Sequence, residues 1–542
     1  MMRYLRTMAF GLGVALLATS PADAGPWSSA ADRALGAAAA ERDVRELTAR
    51  IDRLIAQRWA AAGVQPAPRA DDATFLRRAY LDLAGRIPSV AEARAFLKDR
   101  APDKRERLVE ALLAGNGYAN HFTNVWRALL LPEADAAFQF GVQKPIFELW
   151  LRKQFRENRG YDQMVRELLT VPFGDGRGGF SPYRERGPTP ISFYYAKDVK
   201  PESLGAGTAR LFLGVKLDCA QCHDHPFAKW TRQQFWQFAA FFGGFEVESR
   251  MGFIQNVREI KDRRELTISG GPKIVQAAFL DGTEPQWKYD VGSRETLAEW
   301  MTSPKNPWFA RAAANRMWAY FFGTGLVEPV DDLRDENPAS HPELLDELAR
   351  QFAAHRFDFK FLIRAITASR AYQSGSAADS ANPEDPRLFA RMALRGLSPE
   401  QIFDSLSMAT GFREKRTSRR IFFQDDTLRS EFMKQFASTD KRTEFQTSIL
   451  QSLMLMNGRL TEKVTNPERS ATLAAVIDSP FLGTDEKVET LFLAALARPP
   501  RAEERERFVG YVQAGGVRGD ARTALGDVFW VLLNSPEFLL NH

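Results

Sequence analysis

From Leu47 onward the chain repeats apolar residues at intervals of three and four, and this period constrains the fold before any chemistry is considered. Leu47, Ile51, Leu54, Ile55 and Ala62 form one stripe in a segment starting at Arg42, the pattern of a helix that buries one face. Gln65-Pro-Ala-Pro68 breaks it. The same spacing predicts helices over 72–83, stopping at Gly85 as a left-handed terminal residue, and over 105–113, 118–131, 146–155 and 161–169. Ser89 with Glu92, Thr231 with Gln234 and Ser340 with Glu343 read as capping boxes, the last with Pro342 in its first turn. Further helices are expected over 201–215, 307–322, 398–408, 447–455, 487–497 and 523–533. From Phe245 to Asp290 the period changes to alternation, as in Glu265-Leu-Thr-Ile-Ser269, which predicts a small β-rich insert. The expected fold is mainly α, a multi-helical two-domain architecture: helical segments over 42–244 and 291–542, with the insert at 245–290 between them.

The first 41 residues follow a different logic. Arg3 and Arg6 precede the apolar run Met8 to Ala18, and Ala22-Asp23-Ala24 is a small-x-small cleavage site. Residues 1–24 therefore read as a secretory signal peptide, too short in its apolar part to span a bilayer. Residues 25–41 read as a disordered lead-in. No later apolar run is long enough to cross a membrane, so the expectation is an exported protein of the periplasm or cell surface, with partners in that envelope. A formal charge of +5 over 542 residues gives no reason to expect nucleic acid as a partner.

The chemistry concentrates in Cys219-Ala-Gln-Cys-His223-Asp-His225-Pro-Phe227, which holds both cysteines of the chain. C-x-x-C-H is the spacing of covalent haem c attachment. Two thiols about one turn apart can each add to a vinyl group on one porphyrin edge, and the adjoining imidazole of His223 can then bind the iron as proximal ligand. Exported proteins that rely on disulfides usually spread several along the chain, and this one does not. Two other readings stay open. One is a non-haem zinc or other transition-metal site, in an enzyme or binding module, drawing on Cys219, Cys222, His223 or His225 with Asp218 or Asp224. The other is a local Cys219–Cys222 disulfide in a non-enzymatic surface scaffold. Whether the chain is an enzyme is not legible.

If haem binds, Met251, Met317, His121 and His341 are the residues whose side chains could supply a sixth ligand. Phe235, Trp236, Phe238, Phe241 and Phe242 could wall a porphyrin or simply pack a helix. Gly174-Asp-Gly176-Arg-Gly178-Gly179 matches a dinucleotide fingerprint but lacks the flanking strand and helix, and reads as a loop. Asp331, Asp332, Asp335 and Glu336 do not fit an EF-hand and read as a solvated turn. The basic run Arg413 to Arg420 reads as an exposed loop.

Several separate motifs, in order, resemble a known pair of families. Ile51-Asp-Arg-Leu-Ile55, Arg77-Arg-Ala-Tyr-Leu-Asp-Leu83 and the cysteine motif are similar to the planctomycete secreted cytochrome-like domain. Asn315-Arg-Met-Trp318, Phe322-Gly-Thr-Gly325, Ser340-His-Pro-Glu-Leu-Leu345 and Leu533-Asn-Ser-Pro-Glu-Phe538 are similar to the planctomycete surface domain that usually follows it. The resemblance implies this tandem order and export. It implies electron transfer through a haem, with an unknown redox partner, only as far as the first family's cytochrome-like name goes.

Overall fold

A computed structural model of the chain describes residues 30–135, 143–173, 187–251, 254–268, 273–376, 385–413, 428–436 and 470–542. The expected signal peptide, the glycine-rich 174–179, residues 414–420 of the basic run and the expected 447–455 helix lie outside these. The chain divides into two compact units, residues 1–46 and 47–542. In the first, the described residues are the start of the Ala30–Ala62 helix, with Arg45 paired to Glu41 at 3.0 Å. Residues 30–41, expected as disordered, are therefore helical. Seven alanines between Ala30 and Ala40 explain this, because alanine has the highest helix propensity and little else in the segment competes with the backbone.

The second unit is mainly α. Helix ends fall where the local signals put them. The Asp72–Ala84 helix stops at Gly85 with φ +69°, a conformation that glycine adopts without a Cβ clash. The Val90–Lys98, Arg232–Ala239 and Pro399–Thr410 helices carry complete capping boxes from Ser89, Thr231 and Ser398. One expectation fails: His341, not Ser340, is the N-cap of the Pro342–Ala354 helix, and its side chain makes no capping bond. Pro342 occupies the first helical turn, and a residue before proline is pushed out of the helical region.

The segments expected as two domains interlock in space. Tyr161 stacks on Phe309 with ring centroids 4.9 Å apart and Trp126 meets Phe359 at 5.3 Å. Leu81 and Ile87 belong to the same core as Leu397, Phe403, Leu491, Phe529 and Phe538. A buried polar cluster reinforces this. Arg77 donates to the carbonyls of Ala495, Glu537 and Phe538, and Arg78 to those of Tyr372 and Ser374. Desolvation brings both guanidinium pKa values down to about 10, which leaves them charged at neutral pH.

Strands are few and short. β1 (Phe245–Met251) pairs antiparallel with β2 (Ile254–Glu259), and β3 (Glu265–Thr267) with β4 (Ile274–Gln276), within the segment where alternation replaces the helical period. β5 (Arg395–Gly396) and β6 (Leu540–Asn541) join the chain's end to its middle. Arg294 anchors the insert: it pairs with Glu259 at the end of β2 and donates to Leu169 O at 2.6 Å and Val171 O at 3.1 Å.

Candidate haem-attachment site

The approach to the cysteines is irregular. The Pro201–Thr208 helix runs into a π-turn at Ala209–Leu213, a rare geometry that leaves carbonyls without their usual partners. Gly214 follows with φ +65°. A 3₁₀ turn then spans Asp218–Gln221. Leu217 and Ala220 are buried while Cys219 and Cys222 are exposed free thiols. One small inward residue between the cysteines thus seats the turn and leaves both sulfurs accessible. The Gln221 carbonyl accepts from Trp236 Nε1 at 3.0 Å, which ties the turn to the following helix.

The two histidines of the motif differ in a way that spacing could not reveal. His223 Nδ1 lies 2.7 Å from the carbonyl oxygen of Asp224. A carbonyl only accepts, so Nδ1 carries the hydrogen and Nε2 keeps the lone pair. His225 Nδ1 instead accepts the Phe227 N–H at 3.1 Å. Its proton then sits on Nε2, and neither nitrogen of the neutral ring is left for a metal. Asp224 is also occupied, because its Oδ1 accepts the N–H of Arg232 at 2.8 Å at the start of the next helix, a capping role. Among the described residues no group of three or more His, Cys, Asp or Glu side chains could hold a metal ion. Cys219, Cys222 and His223 are exposed with the C-x-x-C-H spacing intact, while His225 Nδ1 and Asp224 Oδ1 each accept a local backbone N–H.

The aromatic helix after the motif packs inward. Phe235, Trp236, Phe238, Phe241 and Phe242 are buried in the core, so they do not wall an open face. Of the residues considered as sixth ligands, Met317 is buried in the Phe309–Phe322 helix and Met251 ends β1. His121 Nε2 lies 2.6 Å from the Tyr320 hydroxyl. His341 packs against Phe389 and contacts Ser340 Oγ at 3.1 Å.

Residues 50–247 match the family model PSCyt2, described as a protein of unknown function (DUF1549), and residues 293–430 match PSD1, also a protein of unknown function (DUF1553). The chain carries both domains in tandem. This is the cytochrome-like and surface pair that the sequence resembles. No curated protein and no solved structure matches it. With the two segments named, the construction of the site becomes clear: the PSD1 segment holds the PSCyt2 loop that bears the cysteines. Arg316 reaches the π-turn carbonyls of Arg210 and Leu211, both at 3.5 Å. Leu333 N–H donates to Gly214 O at 2.8 Å. Arg334 donates to Phe227 O, and Asp335 pairs with Lys229 at 3.0 Å. The turn is solvated at Asp335 and Glu336 as expected, and through Leu333 and Arg334 it is also a brace. Nothing in its local spacing signalled this, because its partners lie about a hundred residues earlier.

Burial gives His341 a measurable consequence. Desolvation, helped by the nearby Arg58 charge, holds its pKa down to about 4, whereas an unfolded histidine titrates near 6.5. Between those values the unfolded chain binds a proton that the folded chain refuses, so stability falls as pH drops from about 6.5 towards 4. His542, also pressed down to about 4 by burial, acts with the same sign. His341→Asn is expected to flatten, without abolishing, the difference in urea midpoint between pH 7 and pH 5. An unaltered difference would refute the assignment.

Proposed function

We propose that this chain is an exported c-type haem protein, with Cys219 and Cys222 bound to the porphyrin and His223 on the iron. The observation that carries the reading is the pairing of two accessible free thiols with the one motif imidazole whose Nε2 lone pair is uncommitted. In attachment each thiol adds across a vinyl double bond: the sulfur bonds one carbon and the thiol hydrogen passes to the other, with no net redox change. The Asp224 carbonyl fixes the His223 tautomer and so its donor strength, the outer-shell role such a hydrogen bond plays at metal-binding histidines. When bound, the haem supplies one-electron transfer between ferrous and ferric iron, with a potential that the protein tunes through burial and ligation. The basic and apolar N-terminal run, Arg3 to Ala18, directs the chain to the exported side, where a redox partner in the periplasm or at the cell surface would meet it. Among the described residues no helix is long and apolar enough to cross a membrane.

The test is the full chain produced with a cytochrome-maturation system. One haem per chain is expected by intact mass, with a pyridine haemochrome spectrum of the thioether-bound type. Matured protein with both thiols unmodified would overturn the reading.

A further inference from the structure

The geometry points to Phe227 as the residue that packs on the attached ring, an inference that rests on the haem reading above. Phe227 is 75% exposed, and it is the exposed large apolar side chain among residues 216–234. A single exposed apolar residue is ordinary on a protein surface. What sets this one apart is that its backbone is fixed while its side chain is not covered. Its N–H is held by His225 Nδ1 at 3.1 Å. Its carbonyl is held by Arg334, itself braced by Asp332 at 3.1 Å. The loop is closed by the His225 N–H on Trp230 O at 2.8 Å. A frayed loop would not be gripped at both ends of the residue it displays.

Position completes the argument. Phe227 follows His223 by four residues, so the two Cα atoms are at most about 14 Å apart, within reach of a macrocycle hung from Cys219 and Cys222. A porphyrin there needs apolar cover, and the aromatics of the following helix are already buried in the core. A phenyl ring against the macrocycle excludes water from part of it, which disfavours the more highly charged ferric state and raises the reduction potential. His225 and Arg334 then act as positioning residues for the phenyl ring.

The experiment uses the matured full chain carrying Phe227→Ala or Phe227→Trp. Phe227→Ala is expected to keep one haem per chain and an unchanged far-ultraviolet spectrum. Its midpoint potential should shift negative and its Soret circular dichroism should weaken. Phe227→Trp should retain both near the wild-type values. A Phe227→Ala protein with wild-type potential and Soret signal would overturn this inference alone. Absence of haem from the wild-type chain, seen by mass before any potential is measured, would remove the haem reading and this inference together.

Discussion

Asp82→Ala is expected to destabilise the fold by about 3–5 kcal/mol, the range for stranding one member of a buried ion pair. Asp82 is 1% exposed and joins three distant parts of the chain. Its Oδ2 accepts from Arg395 Nη2 and from the Tyr372 hydroxyl, each at 2.9 Å, and its Oδ1 accepts from Asn541 Nδ2 at 2.8 Å. Alanine would leave Arg395 Nη2 and two neutral donors in a low-dielectric site without their acceptor and remove the counter-charge of a guanidinium held otherwise by the Tyr320 carbonyl. The cost is the desolvation of those groups, not merely the lost attraction. Since β5 carries Arg395 and β6 carries Asn541, the change also loosens the clasp between the chain's middle and its end. Urea unfolding of the full chain measures it. Asp385→Ala is the control, because Asp385 pairs with Arg387 at the surface and should cost less than about 1 kcal/mol. Equal losses in the two variants would show that the buried cluster has no special weight.

The second large effect is functional and leaves stability alone. In the cytochrome-maturation system the Cys219→Ser/Cys222→Ser chain is expected to carry no covalent haem, because both thioether bonds are gone. Both thiols are exposed and unpaired, so the unfolding midpoint should stay within the roughly 0.5 kcal/mol usual for surface changes. The contrast with Asp82→Ala separates what the chain needs to fold from what it needs to bind. A double variant that unfolds would mean the cysteines hold structure. One that retains covalent haem would place the attachment elsewhere.

Much of the fold was readable residue by residue. Ser89 with Glu92 and Thr231 with Gln234 formed the caps expected, and Gly85 ended its helix. The alternating stretch after Phe245 became β1 to β4. These signals act over three or four residues, so tertiary context had little room to override them. Ser340 failed because Pro342, two positions later, moved the helix start so that His341 became the N-cap. The lead-in failed because small residues read as disorder when the actual run was rich in alanine.

The site was legible only in part. C-x-x-C-H announced itself by spacing, but Arg316, Leu333 and Arg334 gave no sign that they grip the loop bearing it. Their partners are carbonyls of Arg210, Leu211, Gly214 and Phe227, and every residue has a carbonyl.

By itself the sequence determined a mainly helical chain, its tandem of PSCyt2 and PSD1 segments and the clustering of both cysteines beside a histidine. Only the tertiary structure decided that the His223 lone pair is uncommitted while that of His225 accepts the Phe227 N–H, that the aromatic helix faces inward and that Phe227 faces out. The reason is one of range. Helix period and capping are settled by neighbours in sequence, whereas tautomer and exposure are settled by whichever groups the finished fold brings alongside.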